Sequence, residues 1–366
     1  MTDAHHSAMQ RQPAEVLYAD DIDKLVRSDR HPVPPGWQMS PIAVEKFIAG
    51  DENLKIKRKF VAKSGVVNRV MISLCTDRGC LLMGEPGTAK SWLSELLAAA
   101  ISGTSALTIQ GGTVSTISQM LYTWNEAMVK QHGPVPEALV PSPLFKAMRD
   151  GKLLRFEELT RCPQLLQDAI LTILSDRFIS VPELAGEQGL LYSSPGFNII
   201  STANNVDEGL FEMSAALKRR MSFELIRPIA RIQDEIEVVV HEVSKRINQS
   251  GIDMPVPEEV IEVLVTAFHE LRSGKSIEGR NTDRLAGSSM STAEAVSVAH
   301  AMCVHAYYYR NGRLDGGHLI PFLMGSALKD VAEDRRRLFH YFDTEGMRKT
   351  GEHWKKACEK RSLILQ

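Results

Sequence analysis

The chain has 366 residues, enough for about two or three domains or subdomains, and its formal net charge is −2. A composition this close to neutral argues against a protein whose surface coats nucleic acid. Five widely spaced cysteines without a C-x-x-C pair suggest neither a disulfide framework nor a zinc site. Without a signal peptide or a run of about 18 apolar residues, we expect a cytoplasmic protein with no membrane insertion.

The first predicted region is an N-terminal arm and linker over residues 1–58. Its beginning is polar, and it contains HPVPPGWQMSP, in which four prolines and a glycine oppose a long regular element. Nothing in the composition of this region indicates a function.

The middle of the chain predicts an α/β fold. Over residues 59–228, short apolar runs alternate with helical patterns, which is typical of a parallel sheet between helices. After Pro228 only helical patterns remain, such as PEEVIEVLVTAFHELRSG, with apolar residues three and four apart. We therefore predict a core over 59–228, an all-helical lid subdomain over 229–350 and a C-terminal tail over 351–366.

The strongest local signal is CLLMGEPGTAKSWLSELL, a buried-strand run followed by a glycine-bearing turn and an amphipathic helix. This order is typical of a phosphate-binding loop, in which Gly84 and Gly87 let backbone N–H groups face a polyphosphate. Lys90 can then reach the β and γ phosphates, and Ser91 can bind Mg²⁺ at the helix N-terminus. The predicted nucleotide-binding residues are Gly84, Glu85, Pro86, Gly87, Thr88, Ala89, Lys90, Ser91 and Trp92.

Ala89 departs from the general pattern, because it stands where a second glycine is usual. If this position is helical, its methyl group is tolerated. An ordinary strand-to-helix turn would have to place Gly, Pro, Gly, Lys and Ser at these offsets by chance. The stretch by itself supports binding of ATP or GTP only. The residues expected to bury the following helix against the sheet are Leu93, Leu96, Leu97 and Ile101.

A second candidate segment is SPLFKAMRDGKLLRFEELTR. Ser142 as N-cap, Pro143 at the first helical position and Gly151 after the last turn predict a short helix that leads into a strand. Two acids end that strand. We expect Glu157 to hold Mg²⁺, mostly through water, and Glu158 to orient or deprotonate the attacking water. Two adjacent acids are more often solvated surface charges, but the phosphate loop upstream favours the interpretation as an active site.

Two later segments carry further candidates. FNIISTANN predicts a strand that ends near Asn204, which could hold the same water, and the preceding RFISVPELAGEQGLLYSSPG predicts a hairpin. MSAALKRRMSFE places Arg219 and Arg220 just before another strand. A guanidinium there could reach a phosphate across a subunit boundary, although an arginine pair is more often surface charge.

With these segments in this order, residues 60–320 resemble the MoxR family of AAA+ ATPases. GEPGTAKS is similar to that family's phosphate loop, including the alanine before lysine. EELTR is similar to its DEINR motif, with Arg161 at the matching arginine, and ALKRRM resembles its LDRF motif. The resemblance implies that Arg220 is an arginine finger, with Arg219 as the second choice, and that the core hydrolyses Mg·ATP.

The finer resemblance is to the YehL-like branch of this family. The segments that carry it are EALVPSPLFKAMRDG, EELTR, STANN and STAEAVSV. Members of this branch have paired glutamates in place of the usual Asp-Glu, and they are usually encoded beside proteins with von Willebrand A domains. The resemblance implies such a protein as a partner, and it implies that Glu157 is a working substitution, because one more methylene keeps the charge.

One departure concerns the lid. The family's lid helix usually begins SPRA, whose arginine is the second sensor of the nucleotide, whereas SMSTAEA has Thr292 there. Arg284 in NTDRLAG could substitute from the preceding loop, or it could be a solvated loop arginine.

Three functions are in competition. The leading one is a Mg·ATP-dependent ring ATPase, expected as a homo-hexamer, that remodels, activates or assembles a client protein. A nucleotide-gated scaffold with little turnover would follow if Glu157 and the missing lid arginine impair hydrolysis. A nucleic-acid-stimulated motor would need a basic pore, and the near-neutral charge argues against it.

Overall fold

The computed structural model describes residues 11–204, 211–285, 290–326, 328 and 332–366. By their internal contacts, these residues form two units. The first runs to Gly84 and resumes over Lys90–Ile226, and the second consists of Glu85–Ala89 and the chain from Arg227 onward. None of the helices in the described ranges has the length and apolar character needed to cross a bilayer.

The strands are β1 (Gly79–Gly84), β2 (Thr108–Gln110), β3 (Tyr122–Trp124), β4 (Leu139–Pro141), β5 (Leu153–Glu157), β6 (Phe178–Ser180), β7 (Leu190–Tyr192), β8 (Asn198–Asn204) and β9 (Met221–Leu225). The helices of the first unit are α1 (Ala14–Leu17), α2 (Ala19–Ser28), α3 (Pro41–Ala49), α4 (Val66–Leu74), α5 (Lys90–Ser102), α6 (Ile117–Leu121), α7 (Glu126–His132), α8 (Pro143–Asp150), α9 (Gln164–Asp176) and α10 (Ala215–Arg220). The helices of the second unit are α11 (Ile232–Gln249), α12 (Glu258–Ser273), α13 (Thr292–Tyr309), α14 (Leu319–Ser326), α15 (Ala332–Tyr341) and α16 (Glu352–Glu359).

The first unit is built on a parallel sheet, which confirms the predicted α/β class. Among the described residues, five strands form it in the order β2-β5-β8-β1-β9, and all neighbouring strands are parallel. β6 and β7 form an antiparallel pair, as the predicted hairpin requires. β3 and β4 form a second antiparallel pair.

Apolar residues on both faces of the central strands explain why the sheet is covered by helices. Leu82 packs in one cluster with Leu93 of α5, whereas Leu81, its neighbour in β1, packs in another cluster with Ile170 of α9. Successive side chains of a strand point to opposite faces, so a continuous apolar run needs a helix layer on each side. The residues expected to bury α5 are all 0–1% exposed: Leu93, Leu96, Leu97 and Ile101.

The N-terminal region, expected as an arm and linker, contains helices that are part of the first unit. Ile22, Leu25 and Phe47 are buried in the same apolar cluster as Leu93 of α5. Ile22 and Leu25 lie three residues apart, so they share one face of α2 although charged residues surround them in the sequence. The prolines restrict regular structure only between α2 and α3, over residues 29–40.

The second unit is helical in its described part, as predicted from the patterns after Pro228. Residues 351–366, expected as a tail, include α16, and they belong to the core of this unit. Trp354 and Cys358 are buried there, together with Ile364 in the turn that follows. Apolar residues at helical spacing in this segment explain its packing.

Candidate active site

The carboxyl ends of three neighbouring strands lie at one edge of the parallel sheet. Gly84 at the end of β1 pairs with Asn204 at the end of β8, and β5 pairs with β8 up to Phe156, one residue before Glu157. Ligands of open α/β sheets bind at this edge, because loops and helix N-termini follow the strands there.

Lys90 begins α5 directly after the glycine-bearing loop. Its side chain points back toward the end of β1, because Nζ donates to the Gly84 carbonyl oxygen at 3.0 Å. Lys90 is only 6% exposed. A cation held beside the N–H groups of a helix N-terminus is suited to a polyphosphate.

The loop backbone corrects one expectation. We expected Ala89 to be tolerated if it is helical, but its φ is 61°, in the left-handed region. The helix begins one residue later, so Ala89 belongs to the turn, where an alanine costs about 1–2 kcal/mol that a glycine would not. Gly87 has a φ of 77°, and a Cβ added to it would lie 2.2 Å from Ser291 Oγ.

Glu157 is the most constrained of the predicted site residues, at 2% exposure. Its Oε2 accepts hydrogen bonds from Ser91 Oγ and Thr202 Oγ1, both at 2.7 Å. Its Oε1 accepts from Ser94 Oγ at 2.6 Å and from Arg155 Nη2 at 2.9 Å. The two residues predicted to hold Mg²⁺, Ser91 and Glu157, are therefore in direct contact.

The electrostatics of Glu157 keep its carboxylate ionised. Burial by itself would raise the pKa of Glu157, but hydrogen bonds from Ser91, Ser94 and Thr202 and the charge of Arg155 hold that pKa below its ordinary value. Mg²⁺ prefers oxygen ligands and keeps several of its waters. A hydroxyl and an ionised carboxylate in contact fit that preference.

Glu158 is in a different environment, although it is adjacent in sequence. It has φ 56° and ψ 48°, so the chain turns sharply after β5. Its side chain is 40% exposed, and its Oε2 lies 3.6 Å from Arg161 Nη1. A non-glycine residue in this conformation costs about 1–3 kcal/mol and is frequent at functional sites. The two acids are thus separated into a buried, hydrogen-bonded carboxylate and a half-exposed one.

The remaining candidates lie at two places. Asn204 is half-buried at the end of β8, on the same sheet edge as Glu157. Arg219 and Arg220 are exposed at the end of α10, and Arg220 Nε donates to Ser175 Oγ of α9 at 3.1 Å. Trp92 turns toward the N-terminal region, where its indole N–H donates to the Lys59 carbonyl oxygen at 3.3 Å.

Sequence reasoning missed three residues that hold Glu157: Ser94, Arg155 and Thr202. Arg155 gave a usable signal, since an arginine inside the apolar run KLLRF needs a buried partner. Glu157, two residues later, is on the same face of the strand. Thr202 also accepts a hydrogen bond from the Glu158 backbone N–H at 3.0 Å. It therefore contacts both acids.

In the second unit, Thr292 shares a buried carboxylate with an arginine. Glu235 Oε1 accepts from Thr292 Oγ1 at 2.7 Å, and Arg272 makes two hydrogen bonds to the same carboxylate, at 3.0 and 2.7 Å. Arg272 and Thr292 line a small cavity of this unit together with residues 85–88. Arg284 is exposed, and its carbonyl oxygen accepts from Arg337.

Comparisons with known proteins identify the family of this chain. The model of the AAA domain (dynein-related subfamily) matches residues 79–221, and that of the YehL-like AAA+ ATPase C-terminal domain matches residues 233–365. The protein YehL of Escherichia coli is 48% identical over 356 residues, which are 97% of this chain and 98% of that protein. The chaperone MoxR1 of Mycobacterium tuberculosis is 25% identical over 217 residues, 58% of this chain and 52% of that protein.

Among solved structures, NtrX from Brucella abortus has a TM-score of 0.49 and 16% sequence identity, with 83% of this chain and 62% of that chain covered. This chain thus spans about half the length of MoxR1 and less than two thirds of the NtrX chain. The match to YehL extends over nearly the whole of both proteins. The chain therefore belongs to the MoxR-like AAA+ ATPases, in their YehL-like branch.

Proposed function

We propose that this chain hydrolyses Mg·ATP to ADP and phosphate. The observation that carries the proposal is the contact between Ser91 and Glu157, at 2.7 Å directly after the glycine-bearing loop. A hydroxyl at a helix N-terminus and an ionised carboxylate at the end of β5, one strand beyond the neighbour of β1, are the pair that places Mg²⁺ beside a bound triphosphate. Membership in an AAA+ ATPase family supports the same reading.

Each residue of the site has a separate task in this proposal. Lys90 and the loop N–H groups bind the β and γ phosphates, while Ser91 and Glu157 hold the metal, Glu157 mostly through water. When bound, Mg·ATP supplies a γ-phosphoryl group whose developing charge the metal neutralises. Glu158 orients the attacking water and accepts its proton, and Asn204 holds that water from the end of β8.

The position of Glu158 is consistent with its task as the base. Its carboxylate is half-exposed, so it can contact a water molecule, whereas that of Glu157 is enclosed by four donors. The turn at Glu158 keeps the two acids apart. The one with solvent access is the candidate for proton transfer.

Assembly and partners form the next part of the proposal. We propose a hexameric ring in which Arg220, exposed at the end of α10, reaches the γ-phosphate of a neighbouring subunit. MoxR1 is named a chaperone, which supports a client protein that is remodelled, activated or assembled. A partner with a von Willebrand A domain rests on the resemblance to the YehL-like branch.

Another residue of the second unit is a candidate for the role of the missing lid arginine. Within the second unit, Arg272 lies beside Thr292 and faces residues 85–88 across the small cavity. It contacts the same buried carboxylate as the threonine that stands at the usual arginine position. We therefore assign the role of the lid cation to Arg272 in preference to Arg284.

A nucleotide-gated scaffold remains the second candidate, favoured by Thr292 at the usual arginine position. Steady-state phosphate release by the full chain, with Mg²⁺ and with a chelator, separates the two functions. We expect Mg²⁺-dependent release that Glu158→Gln removes. ATP binding with no release above that of Glu158→Gln would favour the scaffold, and no ATP binding would contradict both functions.

A further inference from the structure

An ion network extends from the buried Glu157 to Arg11, whose side chain is 73% exposed, at the beginning of the described chain. Arg155 Nη2 lies 2.9 Å from Glu157 Oε1, and Arg155 Nη1 lies 3.8 Å from Glu95 Oε2. Both carboxylates have side-chain exposures of 3%. One arginine is thus shared between two buried acids, which leaves a negative charge that needs another partner.

The N-terminal segment, residues 11–17, provides that partner. Arg11 Nη2 lies 2.6 Å from Glu95 Oε2, and the Ala14 N–H donates to Glu95 Oε1 at 3.3 Å. Arg11 and Arg155 together balance the charges of Glu95 and Glu157. The segment therefore completes the charge balance of a network that is otherwise built from α5 and β5.

The same segment reaches Arg155 by a second route. Glu15 Oε1 accepts a hydrogen bond from the Ser105 N–H at 3.0 Å, and the Ser105 carbonyl oxygen accepts from Arg155 Nη1 at 3.1 Å. The backbone of Ser105 thus contacts both the N-terminal segment and Arg155.

Arg155 in turn contributes one of the four hydrogen bonds that orient Glu157. It holds Oε1 of Glu157 and donates to the Ser91 carbonyl oxygen at 3.1 Å and to Ser94 Oγ at 3.1 Å. These bonds tie β5 to the first turn of α5. They leave Oε2 as the oxygen in contact with the Ser91 hydroxyl.

We propose that the N-terminal segment is a positioning element for the metal-binding carboxylate, acting through Glu95 and Arg155. The inference rests on the proposed function, because it concerns how Glu157 holds Mg²⁺. When Arg11 is removed or the segment detaches, Glu95 loses its second cation and attracts Arg155. Glu157 then keeps only Ser94 of the two donors to Oε1, and its orientation toward Ser91 is relaxed.

The test measures the Mg²⁺ requirement for nucleotide binding in the full chain. ADP affinity is titrated by calorimetry over a range of Mg²⁺ concentrations and in a chelator. Loss of a residue that orients a metal ligand typically weakens metal binding about 10- to 100-fold. We expect Arg11→Ala to raise the half-saturating Mg²⁺ concentration about 10-fold, at the low end of that range, because Arg155 itself remains. ADP affinity in the chelator should not change.

The matched control is Arg27→Ala, which removes an exposed arginine of the same region whose partner, Asp23, is also exposed. It should leave the Mg²⁺ requirement unchanged. Hydrogen exchange gives a readout independent of nucleotide, since peptides covering residues 11–17 should exchange faster in Arg11→Ala and not in Arg27→Ala.

A double variant, Arg11→Ala combined with Glu95→Gln, makes the test specific to the network. Glu95→Gln removes the charge that competes for Arg155, so adding Arg11→Ala to it should have no further effect on the Mg²⁺ requirement. An unchanged requirement in Arg11→Ala, or an equal rise in the Glu95→Gln background, would overturn the inference. If wild-type binding shows no Mg²⁺ dependence at all, the proposed function itself is wrong, and the two failures are thereby distinguished.

Discussion

At the scale of single residues, the contacts of Glu157 suit the metal-binding role that we propose for it. The side chain of glutamate has one more rotatable bond than that of aspartate, so more restraint is needed to hold its carboxylate. Ser91 and Thr202 restrain one oxygen, and Ser94 and Arg155 restrain the other. The substitution is compatible with metal binding because neighbouring elements provide that restraint.

Substitutions of the two adjacent acids should have different effects on nucleotide binding and turnover. Glu158→Gln should retain ATP binding and lose most turnover, because an amide cannot accept the proton of the attacking water. Glu157→Gln should instead weaken the Mg²⁺ dependence, since the charge that faces Ser91 is lost. Nucleotide binding and phosphate release at several Mg²⁺ concentrations separate these effects. Identical behaviour of the two variants would show that the assigned roles are wrong.

Lys90→Ala should abolish nucleotide binding, because the variant lacks the loop cation that faces the β and γ phosphates. Calorimetry with ATP measures the loss directly. Lys152→Ala is the matched control, since Lys152 Nζ also donates to a backbone carbonyl oxygen of this unit, that of Ser102 at 2.9 Å. Undiminished ATP binding by Lys90→Ala would refute the assignment of the phosphate loop.

At the scale of elements, the structural features that could be predicted are those that a short stretch of sequence determines. The strand, loop and helix around Lys90 follow from apolar spacing and glycines, and the Ser142 cap of α8 follows from local chemistry, with Ser142 Oγ accepting from the Phe145 N–H. The conformation of Ala89 could not be derived, because the residue before a helix can be helical or left-handed. Ser94 and Thr202 could not be derived either, since their bonds to Glu157 depend on which strands and helices become neighbours.

The three helices around Glu235 provide a prediction about stability. Burial would raise the pKa of Glu235, but the nearby His269 and hydrogen bonds from Arg272 and Thr292 lower it from 4.5 to about 2. A group whose pKa is lower in the folded state stabilises the protein above the unfolded-state pKa and loses this contribution as pH falls through the folded-state value. We therefore expect Glu235 to contribute about 3 kcal/mol at neutral pH and to lose this contribution between pH 4.5 and pH 2.

Urea unfolding of the wild type and of Glu235→Gln at several pH values measures this contribution. Between about pH 4 and pH 3 the free energy of unfolding of the wild type should fall by about 1.2 kcal/mol more than that of the variant. The comparison cancels the other carboxyl groups. Parallel pH profiles would mean that Glu235 is not the group responsible.

At the scale of the whole molecule, a ring ATPase depends on contacts between identical chains. Arg220 could take part in such a contact, because its guanidinium is exposed. Its hydrogen bond to Ser175 joins α10 to α9 at the surface of the first unit. An isolated arginine pair in the sequence does not distinguish a surface charge from an arginine finger. The distinction requires an experiment in which two different chains share one active site.

Arg220→Ala should still bind ATP, because Lys90, Ser91 and Glu157 of the same chain are untouched, but its turnover should fall steeply. Arginine fingers contribute about 10³- to 10⁵-fold to phosphoryl-transfer rates by neutralising charge on the transferring group. Arg149→Ala is the matched control, since Arg149 is half-exposed and pairs with its own neighbour, Asp150. Normal turnover of Arg220→Ala would show that the finger lies elsewhere.

Mixing Arg220→Ala with Glu158→Gln tests whether the finger acts between subunits. Each variant should be almost inactive by itself. In a mixed ring, some interfaces combine the intact Glu158 of one chain with the intact Arg220 of the next, so activity should partly return. Native mass spectrometry confirms that mixed rings have formed. If they form and remain inactive, either Arg219 or Arg161 is the finger or the subunits fire cooperatively. Recovery would place one active site between two chains, because neither chain contains both residues.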